Sequence, residues 1–510
     1  MLTYDLAVIG FGVIGTETLC SLDKLSSKRK KKLNIAIIDK DLKNIPGGVA
    51  YSPHKSKYGF FNNPLRLSHP NFIKWIKKPT NFKKCCNFFE KNKSYDLNNW
   101  VTKNKDLISS KKILELYFPR LFYSIYLKDK IFDLISNRKS NLQIDLFIGN
   151  ASSLIENKST IIKSNSFFNK YSFIKKNNEL KFIKRNLKLK RITSKKIILG
   201  LGLLPPKIIN TNFKKNKNYI WDFYSEGGTQ NLVKKIDKLK SYKDKVNLVF
   251  IGNKAGFLET MQKLEQLINL KKKNIYIHCV APRIDSLQKA ILSKNYSKYK
   301  FNYFLDNKIE NIKNSKEILS LIKKEFNFSK KKGYSKYDIW TLILKKKILS
   351  KCYAQLSNKE KLIYNSKIFS KIRNITRYTY PETINAKEKL EKFNKIKFIF
   401  DKVMFVKQIK NKIKIITEKN KVYSGDIISN VAGPVNILDV QEESSLIYSL
   451  KNVTKKYSKS GFVSNKNFKI SKNIFLPGVI SNNFNPTRLT IIKAITNNSF
   501  KAVKKLIKEI

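Results

Sequence analysis

The sequence predicts an α/β chain with two strand–glycine turn–helix–strand units and a helical insertion. Three observations predict it. Leu6-Ala7-Val8-Ile9 is a short apolar run that enters Gly10-Phe11-Gly12-Val13-Ile14-Gly15, and a second run, Asn34–Ile38, ends in Asp39. The same order recurs later: Val246–Ile251 enters Gly252-Asn253-Lys254-Ala255-Gly256, and Asn274–Val280 follows. Residues 310–395 are Lys-rich with helical apolar spacing. Short apolar runs bounded by glycine read as buried parallel strands.

The first unit is built for a phosphate-bearing ligand. Gly10 permits a tight turn out of the strand. Gly12 has no Cβ, so backbone can approach a pyrophosphate. Gly15 lets the following helix pack close to the strand. The helix N-terminus then offers unpaired N–H groups and a partial positive charge. Asp39 can accept hydrogen bonds from ribose hydroxyls, and its distance past Gly15 is near the spacing of a dinucleotide fingerprint. These are the parts of a Rossmann-like dinucleotide-binding unit. The plain alternative is a glycine turn in an ordinary βαβ unit.

Along the chain, Pro46-Gly47-Gly48-Val49-Ala50-Tyr51 and Asn62-Asn63-Pro64-Leu65-Arg66-Leu67 form a loop rich in Gly, Pro and Asn that carries His54 and His69. Following the second strand, it is expected beside the nucleotide. His54, His69, Asn62 and Arg66 are therefore pocket candidates. Residues 112–136 read as a helix opened by Phe118-Pro119-Arg120, and residues 144–190 as strands and polar loops. Lys195–Gly202 is a strand running into a glycine turn, and Pro205-Pro206 breaks the chain there.

In the second unit Lys254 stands where a second glycine is normal. It narrows the backbone approach and adds a charge for a phosphate. No acid closes the second strand; Arg283 stands near that position and suits a 2′-phosphate, so NADPH is expected over NADH. Arg377 lies in an Arg/Tyr-rich run after the insertion and could clamp a substrate carboxylate, or sit in a structural ion pair. Residues 396–425 alternate as strands. Asp426–Pro434 repeats the strand-to-glycine pattern at Gly433. Ile474–Val479 is a strand and turn holding Gly478, and Asn485-Pro486-Thr487-Arg488 opens the last helix. The expected division is 1–210 as the first nucleotide unit, 211–395 as the second with its insertion, and 396–510 as the return to the first.

The net charge of +67 invites a nucleic-acid reading. Only ten of the cations are Arg, and Lys is spread along the whole chain rather than gathered in one stripe. Specific nucleic-acid sites cluster Arg or aromatic platforms, so no specific nucleic-acid partner is expected, only salt-sensitive sticking to polyanions. The scarce Arg residues mark positions where a planar fork serves and Lys does not. Five scattered cysteines show no metal-ligand spacing. With no run long enough to span a membrane and no basic leader, the expectation is a cytoplasmic protein without a metal.

The chain resembles the two-dinucleotide-binding, FAD/NAD(P)-dependent flavoproteins. Within them it is similar to the monooxygenase group that includes a bacterial urate hydroxylase and an aspartate N-monooxygenase. The likeness rests on the N-terminal fingerprint, a Gly-x-Ala-Tyr segment (Gly48-Val49-Ala50-Tyr51), Asn62 with Pro64, the Pro119-Arg120 helix start, and crossovers at Gly200-Leu201-Gly202 and Asn430-Val431-Ala432-Gly433-Pro434. Leu201 replaces the usual Thr, and Lys254 replaces a Gly. The resemblance implies FAD at residues 1–45 with Ala50, Tyr51, Asn62, Gly202, Gly433 and Gly478 around it, and NADPH at Gly252, Lys254 and Arg283. It implies that NADPH reduces FAD and that O2 then forms a C4a-hydroperoxyflavin, which oxygenates a small nucleophilic substrate such as an amine. A reductase or oxidase without oxygen insertion is the alternative. No catalytic acid or base and no oligomeric state follow from the residues.

Overall fold

Alternation along the first strands decides how the chain layers. The computed structural model describes residues 2–510 except 28, 30, 53–57, 92–94, 111, 138, 177–178, 207–208, 210–215, 241–243, 270–273, 284–286, 294, 410–411, 444, 459–460 and 482–490. β1 (Thr3–Ile9) leads through the glycine turn into α1 (Val13–Ser26) and back to β2 (Leu33–Asp39). Leu6, Val8, Ile35 and Ile37 face one core, and Ala7, Ile9, Ala36 and Ile38 face another. Successive strand residues point to opposite faces, so both faces must be covered by other elements.

Helices α2 (Gly48–Tyr51), α3 (Pro70–Ile76), α4 (Pro79–Lys91), α5 (Tyr95–Lys103), α6 (Lys105–Ser109) and α7 (Arg120–Ser136) follow. Pro119 is the N-cap of α7, so the helix expected from residue 112 starts at Arg120. Next come β3 (Leu142–Ile148), β4 (Ala151–Glu156) and the long hairpin of β5 (Thr160–Lys176) with β6 (Glu179–Leu199).

The second unit opens with β7 (Tyr219–Ile220), α8 (Gly228–Lys240), β8 (Lys245–Ile251), α9 (Ala255–Asn269) and β9 (Asn274–Ala281). β10 (Gln288–Lys289) leads to the helical insertion, α10 (Asp306–Glu310), α11 (Ser315–Lys331), α12 (Lys336–Lys345), α13 (Ile348–Gln355), α14 (Asn358–Ile363) and α15 (Phe369–Ile375). β11 (Tyr378–Thr379) pairs parallel with β10, so the two ends of the insertion are tied together. The insertion has its own apolar core around Ile322, Phe326, Ile339 and Leu349. A capping box between Ser335 and Asp338 starts α12.

After α16 (Pro381–Lys392) come β12 (Ile396–Phe400), β13 (Val403–Ile409), β14 (Lys412–Thr417), β15 (Val422–Gly425) and β16 (Ile427–Asn430). The chain then returns through α17 (Leu446–Thr454), β17 (Tyr457–Ser458), β18 (Gly461–Phe462), β19 (Ile474–Phe475) and α18 (Ile491–Leu506).

The first sheet runs β19-β6-β1-β2-β3-β5-β4, and the second runs β12-β9-β8-β16-β7 with every pairing parallel. This corrects the boundary expected at residue 396. β12 pairs with β9 and β16 with β8, so residues 396–430 complete the second unit, and the return to the first follows Asn430. Sheet neighbours set by crossovers are not visible in strand order along the sequence. Helices α8, α9 and α16 cover one face of the second sheet, and β13–β15 cover the other. Among the described residues no helix is long and apolar enough to cross a membrane.

Candidate functional site

The first glycine turn is sterically exacting. Gly10 has φ +96°, and a Cβ on it would lie 2.6 Å from the Gly200 carbonyl oxygen. Its N–H donates to Ile38 O at 2.7 Å, while the Gly200 N–H donates to Ile9 O at 2.7 Å. A Cβ on Gly15 would stand 2.5 Å from Gly10 O, so only glycine lets α1 begin against the turn. Gly12 is the N-cap of α1 and supplies no side-chain cap. Its open side looks onto Gly48, whose Cα would be 3.4 Å from an added Cβ. The space beside the second glycine is thus shared with the Gly47-Gly48 backbone, which the sequence did not reveal.

Asp39 is 9% exposed. Its Oδ2 accepts from the Phe11 N–H at 2.7 Å and its Oδ1 from the Asp41 N–H at 3.0 Å. Burial pushes its pKa up, and the two N–H donors oppose that shift. Each oxygen has a second acceptor position. A turn that excludes Cβ atoms, a helix start without a side-chain cap and a carboxylate closing β2 fit the ADP half of a dinucleotide.

The second turn repeats this geometry. Gly252 also has φ +96°, and its N–H donates to Val280 O at 2.8 Å as Gly10 does to Ile38. The equivalence places Lys254 at Gly12 and Ala281 at Asp39. The ring of contacts is kept as well: a Cβ on Gly252 would meet Ala432 Cα at 3.0 Å, as one on Gly10 would meet Gly200. Lys254 crosses the strand end, so a Cβ on Gly433 would lie 2.6 Å from its Nζ. Arg283 is exposed, and its carbonyl accepts from Asn253 Nδ2 at 2.8 Å. This cradle has Lys254 and Arg283 and no acid at the position of Asp39, which fits a dinucleotide with an extra phosphate.

The remaining candidates divide between packing and the seam joining the units. Gly478 is buried, and a Cβ there would press on Ile14 Cδ1 and Leu201 O at 2.9 Å each. Gly202 has open space around it. Ala50 is exposed on α2, while the Tyr51 ring packs on Tyr123 at 5.0 Å, and burial raises its hydroxyl pKa to about 12. Asn62 Oδ1 accepts from Thr379 Oγ1 at 3.3 Å, and the neighbouring Asn63 Oδ1 accepts from the Tyr337 hydroxyl at 2.9 Å. Both contacts tie the loop to the insertion side. Arg66 pairs with Glu115 and lies over the Tyr296 ring at 5.5 Å, with its Nε buried and without a hydrogen-bond partner among the described residues. Arg377 stands half-buried where α15 turns into β11, and its carbonyl accepts from Gln288 N–H at 3.1 Å. His54 and Arg488 lie outside the described residues. His69 caps α3, Nδ1 accepting from Asn71 N–H at 3.3 Å.

Sequence reasoning missed the central tie of the seam. Arg120, at the start of α7, forms an ion pair with Glu259 on α9, and each side chain is 13% exposed. Arg120 Nε also donates to Phe60 O at 3.0 Å. Burial disfavours the charged guanidinium, but Glu259 outweighs it and holds the Arg120 pKa above its ordinary value. The scarcity of Arg flagged Arg120; nothing marked its partner, 139 residues away. Phe60 stacks on Tyr380 at 4.8 Å, and the Tyr117 hydroxyl donates to Ala290 O, extending the same seam.

Comparison with known proteins agrees with this geometry. A family profile described as FAD-NAD(P)-binding matches residues 7–165. Uncharacterized proteins of Mycobacterium tuberculosis (Rv3403c) and Mycobacterium bovis (Mb3437c) are each 23% identical over 275 residues, covering 51% of this chain. The match spans about half the length of these curated relatives, 47%. Among solved structures, the FAD-bound cadaverine monooxygenase DfoA of Erwinia amylovora aligns over 100% of this chain and 95% of its own, with a TM-score of 0.51 and 11% identity. The ornithine hydroxylase PvdA of Pseudomonas aeruginosa aligns over 99% of both chains, with a TM-score of 0.50 and 11% identity. The chain therefore has the fold of the two-dinucleotide-binding flavoproteins, and its residues 7–165 match the FAD-NAD(P)-binding family profile.

Proposed function

We propose that the protein is an FAD-dependent monooxygenase that takes hydride from NADPH and delivers one atom of O2 to a small nucleophilic substrate, with N-hydroxylation of an amine as the reaction. The observation that carries the reading is the pair of glycine turns, alike in geometry but differing in charge at two matched positions, where Lys254 stands for Gly12 and Ala281 for Asp39. Gly10, Gly12, Gly15 and Asp39 would hold the ADP half of FAD. Gly252, Lys254 and Arg283 would hold NADPH, the two cations facing its phosphates. Bound flavin would supply the redox and oxygen chemistry.

The chain's own part is binding, alignment and exclusion of water. The seam of Phe60, Tyr380, Tyr117 and the Arg120–Glu259 pair sets the two cradles against each other. Arg66 and Arg377 are the candidates to orient a substrate carboxylate, and the buried Arg66 Nε supports that role. The two fold relatives named as a cadaverine monooxygenase and an ornithine hydroxylase support an amine substrate. The cysteines speak against a dithiol reductase: burial raises the thiol pKa of Cys20, Cys279 and Cys352 to about 12 and pushes that of Cys85 well up. A reactive dithiol needs the opposite shift.

The test is reduction by NADPH without oxygen, followed by air and a panel of diamines and basic amino acids. Flavin bleaching, then a hydroxylamine product from one amine with NADPH consumption coupled to it, is expected. Consumption that yields only H2O2 with every amine would make the protein a reductase or oxidase. A protein that takes up no flavin would overturn the reading altogether.

A further inference from the structure

A cavity of about 900 Å³ lies away from both glycine turns. It is walled by one face of α1, by α7 and α18, by the start of α3 and by α13 of the insertion. Glu17, Cys20, Ser21 and Lys24 supply the α1 wall, at the three- and four-residue spacing of one helix face. Its volume suits a small metabolite.

The wall mixes apolar surface with charged, amide and hydroxyl side chains, where a packing defect would be apolar throughout. His69, Glu17 and Asn498 are 7%, 3% and 4% exposed. Glu17 Oε1 accepts from Lys130 Nζ at 2.8 Å, so the one acid of the lining is already neutralised. Lys24, Lys466 and Lys501 stand around it and leave the lining cationic. His69 is held in one tautomer. Its Nδ1 accepts the Asn71 N–H, so the neutral ring carries its proton on Nε2. Burial lowers the His69 pKa, with Lys130 and Lys493 acting the same way and Glu17 opposing them, which keeps the ring neutral. With Nδ1 taken by the Asn71 N–H, Nε2–H is the ring's remaining donor, and the ring lines the cavity.

We propose that this cavity is a second ligand site, separate from the cofactor cradles, for a small metabolite carrying carboxylate or phosphate oxygens, with the His69 Nε2–H as its donor in the wall and the exposed Lys24, Lys466 and Lys501 ammonium groups around it. The proposal does not depend on the oxygenase reading. The cationic wall selects an oxyanion. The amide and hydroxyl side chains of Asn365, Thr496 and Asn498 suit the polar remainder of such a molecule.

The test uses the full-length protein as purified, with histidine labelled at 13Cε1. The chain has three histidines, so the His69 signal is assigned by its loss in His69→Asn. Asn keeps an acceptor for the Asn71 N–H and the cap of α3, and removes the Nε2 donor. Citrate and 3-phosphoglycerate are the probes, titrated at physiological ionic strength to screen diffuse attraction. A saturable shift of the His69 signal is expected with at least one probe: citrate alone assigns carboxylate, 3-phosphoglycerate alone assigns phosphate, and both assign the shared oxyanion. His69→Asn should weaken that binding about tenfold, close to 1.4 kcal/mol. An unmoved His69 signal with both probes, or equal binding by a folded His69→Asn protein, would overturn the proposal. If His69→Asn fails to fold, Thr496→Val replaces it as the binding variant, with the same criterion.

Discussion

The Arg120–Glu259 pair gives the sharpest quantitative test of how the two units are joined. Glu259→Gln removes the charge that compensates a guanidinium only 13% exposed. Arg120 then keeps its bond to Phe60 O but has a buried positive charge without a counter-charge. Breaking a buried pair on one side costs roughly 3–5 kcal/mol. For a unit of 150–250 residues each kcal/mol moves Tm by roughly 2–4 °C, so a fall of about 6–20 °C is expected. Arg120→Met alone strands Glu259 and should cost a similar amount. The double variant Arg120→Met/Glu259→Leu removes both charges and should return to within about 1 kcal/mol of the parent, or exceed it. The assay is thermal unfolding of all four proteins, read by circular dichroism and by proteolysis at the seam. Each unit has its own core, so the single variants should also separate one transition into two. Single variants as stable as the double would refute the reasoning, because the pair would then carry no coupling.

Other outcomes are equally specific. Gly10→Ala must place a Cβ 2.6 Å from Gly200 O at φ +96°, and should cost about 3 kcal/mol and shed flavin. Gly202→Ala, with open space around it, should leave the melt within about 0.5 kcal/mol; equal losses would mean the first turn is not as tight as described. Arg283→Ala should raise KM for NADPH more than for NADH, and equal changes in steady-state kinetics would remove Arg283 from a 2′-phosphate role. The lowered His69 pKa means the unfolded chain takes up a proton more readily than the native one below about 6.5. This contribution is complete above that value and is lost as pH falls toward the folded pKa. Tm against pH should therefore decline less steeply below about 6.5 in His69→Asn than in the parent, and parallel curves would contradict it.

Much of this was written in the sequence because the glycine turns are local. Gly10, Gly15 and Gly252 are required by atoms within their own strand–turn–helix units and the adjoining crossovers, so a run of a few residues reveals them. The strand alternation in β1 and β2 likewise predicts two covered faces. Where partners are remote, the sequence is silent. Nothing in residues 396–430 tells that they complete the second sheet, because their pairing with β9 and β8 is set by crossovers. Glu259 looks like any other surface acid until α9 is laid against α7. By its place in the chain His69 is a candidate for the cofactor loop, whereas its ring turns to α3 and to a cavity built from seven separate stretches of chain.

On the proposed function, two near-copies of one nucleotide cradle pose a sorting problem, since FAD and NADPH both end in adenosine diphosphate. The matched pairs Gly12/Lys254 and Asp39/Ala281 would act as a filter on that shared end. At the first cradle the Asp39 carboxylate would repel an added 2′-phosphate; at the second, Ala281 stands in place of that acid and Arg283 would draw one in. On the proposed function, misloading is then discouraged before any contact with the flavin or nicotinamide ring. Adenosine 2′,5′-bisphosphate should accordingly compete with NADPH and leave bound FAD in place. Exchanging the pairs, with Lys254→Gly and Ala281→Asp, should erase that distinction.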